Sequence, residues 1–566
     1  MSQQAGTATL VRHWPDTGIS SSGQWRNPWL LGALAAALLV ALPVISILLL
    51  ALAPEENIWP HLSATVLPGY LRTTLFLLLG VGVGTLVLGV ATAWLVTMCR
   101  FPGRTLFEWA LLLPFAVPAY VIAYTYTDLL EYAGLVQSTL RAWFGWQSKA
   151  DYWFPEIRSL GGAISMMTLV MYPYVYMLAR AAFMEQSPYM LDAARVLGHN
   201  AWSSFFRISL PLARPAIAVG LALVLMEVMN DFGTVDYFAV RNLTAGLYDV
   251  WLGMGNLGGG AQIASVMLIF VAILIMLERL GRRRQAHYQG NRRFQRLPGY
   301  TLRGWRATLA LLVCMLPLVL GFLVPAGVLL WYAVGYFEQS WTAEFRTYAW
   351  NSIMLSFTAA VLALLIGIFL AYSRRLNNNR WLTGAVRLAG LGYAMPGAVL
   401  AIGVMIPLSR FDNTIDGWMR DLFGISTGLL LSGTVFAILF AYVVRFLAVA
   451  LGAVESSLAK VTPSMDMASR SLGHGPMFTL RRVHLPLIRG GLLTAALVVF
   501  VDCMKELPAT LVLRPFNFDT LATHVYQFAS DELLEQSALA ALLIVLVGLL
   551  PVIGLSYSIS RSRELK

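Results

Sequence analysis

The chain carries one short polar stretch twice, first as Asp192-Ala193-Ala194-Arg195-Val196-Leu197-Gly198-His199 and again as Met467-Ala468-Ser469-Arg470-Ser471-Leu472-Gly473-His474. The copies are 275 residues apart, and the pairs Leu210-Pro211 and Leu485-Pro486 follow them at the same offset. Short repeat periods indicate solenoids, but this period is far too long for one. It predicts two homologous halves, each with one polar loop between hydrophobic segments.

The composition is that of a membrane protein. Of 566 residues, 58% are hydrophobic and only 12% are charged, whereas soluble proteins carry about 25% charged residues. The apolar residues form continuous blocks of roughly 20, the length that crosses a bilayer as a helix. The net charge of +11 does not indicate nucleic-acid binding, because Lys and Arg collect in the cytoplasmic loops of such proteins.

The apolar blocks predict an all-α polytopic protein with about twelve transmembrane helices, six in each half. The predicted spans are 29–53, 73–97, 106–129, 160–183, 213–236, 262–281, 307–334, 350–373, 385–408, 427–450, 487–511 and 537–559. The predicted organisation is an N-terminal tail (1–28), a first half (29–281), a basic linker (282–306), a second half (307–560) and a C-terminal tail (561–566).

The charge pattern predicts the orientation. Segment 279–306 contains nine arginines and no acidic residue, so the positive-inside rule puts it in the cytoplasm. Alternating spans then place both repeated loops and both termini on the cytoplasmic side. Because six spans return each half to its starting side, the halves form a parallel repeat about an axis along the membrane normal.

Each repeated loop has the signals of a short helix followed by a turn. The first loop (186–212) opens near Pro188, a residue suited to the first turn of a helix, and Gly198 can end that helix. We expect the chain to re-enter the membrane at Leu210-Pro211, and the second loop (461–487) to behave in the same way.

Four acidic residues lie in the predicted spans that follow the loops. Glu227 and Asp231 are matched at the 275-residue offset by Asp502 and Glu506. The i, i+4 spacing puts each pair on one helix face, and acids inside a membrane mark substrate paths. Their hard oxygen atoms suit a hard cation. Alternatively, they pair with internal bases or cap a broken helix, since the helix breakers Gly233 and Pro508 are also 275 residues apart.

The first loop resembles the signature loop of ATP-binding cassette importer permeases, and the second resembles it more loosely, with Met467 in place of the acid. The resemblance implies a type I permease fold in which both loops are coupling helices that dock on two copies of an ATPase subunit. The residues that carry it are Asp192, Ala193, Ala194, Gly198, Ile208, Leu210 and Pro211, and in the second loop Met467, Ala468, Ser469, Gly473, Leu485 and Pro486.

The sequence has no phosphate-binding loop of its own. We therefore expect a permease subunit that is not an enzyme and binds no cofactor, with ATP and Mg²⁺ held by the partner ATPase. The resemblance also implies a periplasmic solute-binding protein and location in the bacterial inner membrane.

The stretch Asp502-Cys503-Met504-Lys505-Glu506-Leu507-Pro508-Ala509-Thr510 resembles a segment of ferric-iron importer permeases with two fused halves. It implies ferric iron as cargo, with transient binding at the four acids and no firmly assigned metal site. Permeases for thiamine, phosphonate, polyamine or sulfate remain alternatives, as does a proton-coupled secondary transporter.

Overall fold

The structure, a computed structural model, describes residues 28–283, 299–377 and 379–564. The predicted tail 1–28, apart from Pro28, and most of the basic linker lie outside the described residues. Within them the secondary structure is helical, apart from one short parallel pairing of Cys99–Arg100 with Tyr300–Thr301. The prediction of an all-α protein is confirmed.

The first half contains α-helices at Pro28–Leu52, Trp59–Ala64, Leu67–Met98, Arg104–Ala110, Ala119–Leu130, Leu135–Phe144, Leu160–Met184, Pro188–Val196, Ala201–Ser204, Leu210–Asn230, Gly233–Tyr237, Leu243–Tyr248 and Leu257–Arg283. Two 3-10 helices, Leu113–Ala116 and Lys149–Asp151, and two π-helical turns, Phe205–Ser209 and Asp249–Gly253, complete it.

The second half contains α-helices at Trp305–Leu318, Val324–Gly335, Phe337–Ser340, Ala343–Leu376, Arg380–Ala389, Gly397–Phe423, Val435–Leu458, Pro463–Ser471, Pro476–Thr479, Leu485–Met504, Pro508–Leu513, Leu521–Ser530 and Leu534–Glu564. It also has two π-helical turns, Val319–Leu323 and Leu480–His484, and the 3-10 helix Gly392–Ala394.

The described residues include 11 helices long and apolar enough to cross a membrane. The count becomes 12 if the bent pair Arg104–Ala116 and Ala119–Phe144, whose axes differ by 89°, is one span. That pair corresponds to the predicted third span (106–129), which the structure breaks before Pro118. Proline disfavours helical backbone in the residue before it, and Val117 is accordingly extended.

Several predicted boundaries were wrong. The spans predicted at 213–236 and 487–511 end as helices at Asn230 and Met504. The span predicted at 385–408 divides into an amphipathic helix, Arg380–Ala389, and the helix Gly397–Phe423, with Pro396 between them. In each case a polar, glycine or proline residue interrupts an apolar run that hydropathy alone reads as continuous.

The parallel repeat is visible in matching hydrogen bonds. In the first half the N–H of Leu243 donates to Thr74 Oγ1 at 3.0 Å, and in the second the N–H of Leu521 donates to Ser352 Oγ at 2.8 Å. Both acceptors lie in a long membrane helix, and both donors begin a short helix. The long helix and the short helix therefore make the same contact in each half.

The halves exchange their first helices. Helix Pro28–Leu52 packs in the core of the second half, where Trp29 stacks on Phe369 with ring centroids 5.4 Å apart. The segment Trp305–Gly335 packs between the last helix of its own half, Leu534–Glu564, and the first half, where Tyr126 donates a hydrogen bond to the Leu320 carbonyl at 2.8 Å. The sequence repeat thus divides the chain near residue 290, but the packed cores do not divide there.

Candidate functional site

Both repeated loops contain a short helix at the predicted place. Loop helix 1 spans Pro188–Val196 and loop helix 2 spans Pro463–Ser471, each with proline at its start. Gly198 and Gly473 follow with φ of +81° and +80°, a left-handed conformation that glycine adopts at little cost. Each glycine therefore ends its helix, as the sequence predicted.

The turns after the loop helices are Schellman motifs. The N–H of His199 donates to the Ala194 carbonyl at 2.9 Å, and that of His474 donates to the Ser469 carbonyl at 3.1 Å. Such bonds satisfy carbonyls that a helix end leaves without partners. Ala194 and Ser469 thus stabilise the turn through their main-chain carbonyls.

That the chain re-enters the membrane at Leu-Pro stays a prediction, but the helical segments that contain these pairs start about two turns earlier. The re-entering helical segments begin at Ala201 and Pro476. Before each Leu-Pro pair the helix widens into a π-helical turn, in which the N–H of Leu210 donates to the Phe205 carbonyl. Proline lacks an N–H and crowds the preceding turn, and the wider turn accommodates Pro211 and Pro486 inside the segment.

The loop residues divide into an exposed and an inward-facing set. Exposed are Asp192, Ala193, Gly198, Met467, Ala468, Gly473 and Pro486. Buried or partly buried are Ala194, Ser469, Leu210, Pro211 and Leu485. The exposed set lies beside bare apolar side chains, and Val196, Leu197 and Leu472 are 87%, 77% and 73% exposed. Contiguous exposed apolar surface marks an interaction site.

The two loop helices are held differently. In loop helix 2, Asp466 forms an ion pair with Arg375 at 2.8 Å and contacts His484 Nε2 at 2.5 Å. The residue at the equivalent position of loop helix 1 is Leu191, which is buried in the apolar core. The sequence analysis noted that Met467 replaces an acid but overlooked Asp466, one residue earlier.

The four predicted acids lie where the re-entering helices end. We name helices Leu210–Asn230 and Leu485–Met504 cavity helix 1 and cavity helix 2. Glu227 and Asp502 are within these helices, but Asp231 caps the end of the first with extended backbone, and Glu506 lies beyond the end of the second. The prediction that each pair shares one helix face was therefore wrong, because the helices stop between the paired acids.

The second acid of each pair in the sequence caps the short helix that follows it. Asp231 Oδ1 accepts a hydrogen bond from the Thr234 N–H at 2.8 Å, and Glu506 Oε1 accepts one from the Ala509 N–H at 3.1 Å. Capping of a broken helix was the alternative role considered for these acids, and the structure assigns it to Asp231 and Glu506.

All four acids nevertheless line one cavity, which we call the acidic cavity. The cavity has a volume of about 120 Å³, and a single water molecule needs about 10–15 Å³ on this scale. Its other lining residues come from both halves, among them Phe115, Tyr120, Tyr174, Asn230, Tyr393, Arg445 and Lys505.

Hydrogen bonds join the halves at the acidic cavity. Tyr393 donates to Glu227 Oε1 at 2.6 Å. Asn230 Oδ1 accepts from Arg445 Nη1 and from the Gly397 N–H, both at 2.7 Å. Glu227 and Asn230 belong to the first half, and their partners Tyr393, Arg445 and Gly397 belong to the second. These bonds therefore hold the two halves together at the cavity.

One acid has a buried basic partner. Arg445 and Glu506 are 3% and 5% exposed, and their ion pair measures 3.1 Å from Nη1 to Oε2. Removing one member of such a pair leaves an uncompensated buried charge. Sequence reasoning missed Arg445, Asn230 and Tyr393, because nothing in their local sequence indicates that they meet the acids.

The cavity also contains an unpaired polar group. Tyr120 is 4% exposed, and its hydroxyl has no hydrogen-bond partner among the described residues. A buried polar group without a partner is costly, so this hydroxyl is available to a ligand or water. Across the described part of the chain, no three His, Cys, Asp or Glu residues come close enough to hold a metal ion. The acids line the cavity without forming a chelating site.

Known proteins with similar sequences support this architecture. The family described as binding-protein-dependent transport system inner membrane component matches residues 85–287. The molybdenum transport system permease protein ModB of Escherichia coli is 30% identical over 210 residues, which cover 35% of this chain and 88% of ModB. The chain belongs to this permease family. It is a multi-pass protein of the inner membrane.

Two relatives match most of this permease. The Fe(3+)-transport system permease protein FbpB 2 of Haemophilus influenzae is 25% identical over 486 residues, covering 85% of this chain and 88% of the relative. The ferric transport system permease protein FbpB of Actinobacillus pleuropneumoniae is 24% identical, covering 86% and 72%. The likeness therefore extends over both halves.

Proposed function

We propose that this chain is the transmembrane permease of an ATP-driven importer that moves ferric iron across the bacterial inner membrane. Membership of the permease family supports the transport role. The observation that carries the choice of cargo is the acidic cavity, which is lined by four acids. Among the described residues only Glu506 of these has an ion-pair partner, which leaves Glu227, Asp231 and Asp502 for a cation. The names of the relatives that match over both halves support the same cargo.

Energy enters through the repeated loops. Two copies of an ATPase subunit dock on loop helix 1 and loop helix 2, whose exposed side chains offer an apolar surface on each half. The loops continue into cavity helix 1 and cavity helix 2, so a movement of the docked ATPases is passed directly to the ends that carry the acids. ATP and Mg²⁺ are bound by the partner and not by this chain.

Transport proceeds by alternating access. A periplasmic binding protein delivers Fe³⁺ to the outer face, and the cavity opens there when the two halves separate. Separation breaks the bonds Tyr393–Glu227 and Arg445–Asn230. It thereby exposes the carboxylate of Glu227, which can then attract the cation. Closure of the outer side and opening of the inner side release the ion into the cytoplasm.

The orientation that fits this cycle has both termini and both loops in the cytoplasm. It is supported by the nine arginines of segment 279–306, because positive residues collect on the cytoplasmic side. Cysteine labelling from outside intact cells tests it. A cysteine at exposed Ala193 should be protected, whereas one at exposed Glu338 should react.

The cargo is tested by uptake of radioactive ferric iron in cells that lack other ferric importers and express this chain with its cognate ATPase and binding protein. The variant Glu227→Gln with Asp502→Asn removes the two acids that cap no helix. Uptake should fall at least about tenfold, equivalent to 1.4 kcal/mol or more. The control Glu338→Gln makes the same change at an exposed acid, and normal uptake by the double variant would refute the cation path.

The same cells separate the competing functions. A proton-coupled transporter would lose uptake when an uncoupler collapses the proton gradient while ATP is maintained, whereas an ATP-driven importer would not. The alternative of an oxyanion permease is supported by the likeness to ModB and by the presence of Arg445 and Lys505 in the cavity. Competition by molybdate or sulfate would support it, and competition by thiamine would support a thiamine permease.

A further inference from the structure

The two bases of the acidic cavity are held in different ways. Arg445 is fixed by Glu506 at 3.1 Å and by Asn230 at 2.7 Å. Its guanidinium is permanently charged and planar, so it serves as a lasting partner for Glu506. Glu227, Asp231 and Asp502 are left for other positive charges.

Lys505 is held by an uncharged partner. Its Nζ donates a hydrogen bond to the main-chain carbonyl of Phe115 at 2.9 Å and lies 4.9 Å from the centroid of the Phe115 ring. Within the described residues it forms no ion pair, although Asp502 and Glu227 line the same cavity. Its ammonium is a compact charge on a flexible stem and can move without breaking a carboxylate contact.

The Lys505 contact also crosses between the halves. Lys505 follows cavity helix 2 of the second half, whereas Phe115 lies in the 3-10 helix before the break in the third span of the first half. Withdrawal of the ammonium therefore frees a carbonyl oxygen on the cavity wall and loosens one bond between the halves. A hard cation would find that oxygen a suitable ligand.

We propose that Lys505 is a tethered substitute for the cargo, an ammonium that occupies the empty acidic cavity and is displaced from the Phe115 carbonyl when a multivalent cation enters. This inference rests on the proposed cation path. With Arg445 committed to Glu506, displacement of Lys505 leaves Glu227, Asp231 and Asp502, whose three charges when ionised balance those of Fe³⁺.

The substitute makes the cavity selective for charge. Coulomb energy scales with the product of the charges. A monovalent cation that replaces the ammonium exchanges one charge for an equal one and gains little, whereas a trivalent cation gains about three times the attraction. The cost of displacing Lys505 is the same for every cation, so it offsets the attraction of a monovalent ion and is outweighed by that of a trivalent one.

Binding of Tb³⁺ to the full-length permease in lipid nanodiscs tests the inference. Tb³⁺ is a hard trivalent cation whose luminescence is excited through nearby tyrosines, and Tyr120, Tyr174 and Tyr393 line the cavity. Lys505→Met keeps the aliphatic stem and removes the charge, whereas Lys505→Arg keeps the charge and is the matched control. Ca²⁺ serves as the competitor of lower charge.

We expect Lys505→Met to bind Tb³⁺ at least about tenfold more tightly than the wild type. Ca²⁺ affinity should rise by a similar factor, because the same ammonium is displaced by either ion. Lys505→Arg should remain close to the wild type in both measurements. Lys505→Gln is a second neutral variant, and the monodisperse one of the two is used.

Unchanged Tb³⁺ affinity in the neutral variants would overturn the inference, and so would loss of Tb³⁺ binding in them. Failure of both neutral variants to fold would assign Lys505 a structural role and overturn it as well. Absence of Tb³⁺ binding to the wild type, or wild-type binding by Glu227→Gln with Asp502→Asn, would instead contradict the cation path on which the inference rests.

Discussion

Single glycines set the direction of the chain at the two repeated loops. A Cβ atom added at Gly198 or Gly473 would meet no other atom within 4 Å, so space does not require glycine there. The positive φ does, because the left-handed conformation costs other residues roughly 1–2 kcal/mol. The consequence of a substitution is therefore a change in the turn and not a clash.

We predict that Gly198→Ala together with Gly473→Ala will loosen the ends of both loop helices and lower ATP-driven uptake severalfold at an unchanged amount of protein in the membrane. Uptake normalised to the permease level measures this. Gly490→Ala is the control, since Gly490 also has open space around it but lies within cavity helix 2 without a positive φ. Equal uptake in both variants would contradict the role assigned to the turns.

The buried pair Arg445–Glu506 gives a second prediction at this scale. Arg445→Met should destabilise the permease by about 3–5 kcal/mol, because it leaves the Glu506 charge buried and unpaired. Adding Glu506→Gln should restore much of the loss, since both charges are then absent. Thermal unfolding of the purified protein measures the difference, and additive losses in the double variant would contradict the pairing.

At the scale of elements, the two loop helices are built alike but anchored differently. Loop helix 2 is tied by Asp466 to Arg375, which also donates to the carbonyls of Leu458 and Val461 at 2.7 and 2.8 Å. In loop helix 1, Arg195 lies over the ring of Tyr300 at 4.5 Å. The second loop is thus held by ionic contacts and the first by apolar and aromatic ones.

This difference predicts unequal effects of removing one acid from each loop. Asp466→Asn should destabilise the permease by about 1–3 kcal/mol, because it weakens charge-assisted bonds to partly buried groups. Asp192→Asn removes an exposed pair with Arg195 at 3.7 Å and should cost less than about 1 kcal/mol. Thermal unfolding and protease cleavage within segment 461–487 report both effects, and equal losses would contradict the asymmetry.

At the scale of the whole molecule, the exchange of first helices joins the halves. Helix Pro28–Leu52 supplies Leu30, Ala33, Ala37 and Val40 to the core of the second half. In that position the backbone of Pro43 approaches Gly403 so closely that a Cβ on Gly403 would lie 2.5 Å from the Pro43 carbonyl oxygen. The second half cannot complete its core from its own residues.

We predict that a fragment of residues 299–566 will be degraded when expressed alone and recovered in the membrane when residues 1–66 are co-expressed. The core side chains of the first helix would otherwise leave a gap in the second half, and gaps in a packed core are costly. Immunoblotting of membranes measures recovery. A control fragment, 67–283, should give no rescue, and stable expression of 299–566 alone would refute the exchange.

The sequence predicted the features that depend on local pattern. The prediction of about twelve spans agrees with the 11 or 12 of the described residues. The internal repeat and the glycine turns were identified correctly, because a fixed offset and turn chemistry are properties of neighbouring residues. It did not predict the π-helical turns before Pro211 and Pro486, nor the helix ends at Asn230 and Met504. Those depend on the packing and capping available at each end.

By itself, then, the sequence determined that the chain is a duplicated, helical membrane protein with paired loops and paired acids, since composition and repetition are written along the chain. Only the tertiary structure decided that the first helices exchange between halves and that Arg445, Tyr393 and Lys505 join the acids in one cavity. The reason is physical: the groups that line this cavity lie up to 390 residues apart, as Phe115 and Lys505 do, and only packing brings them together.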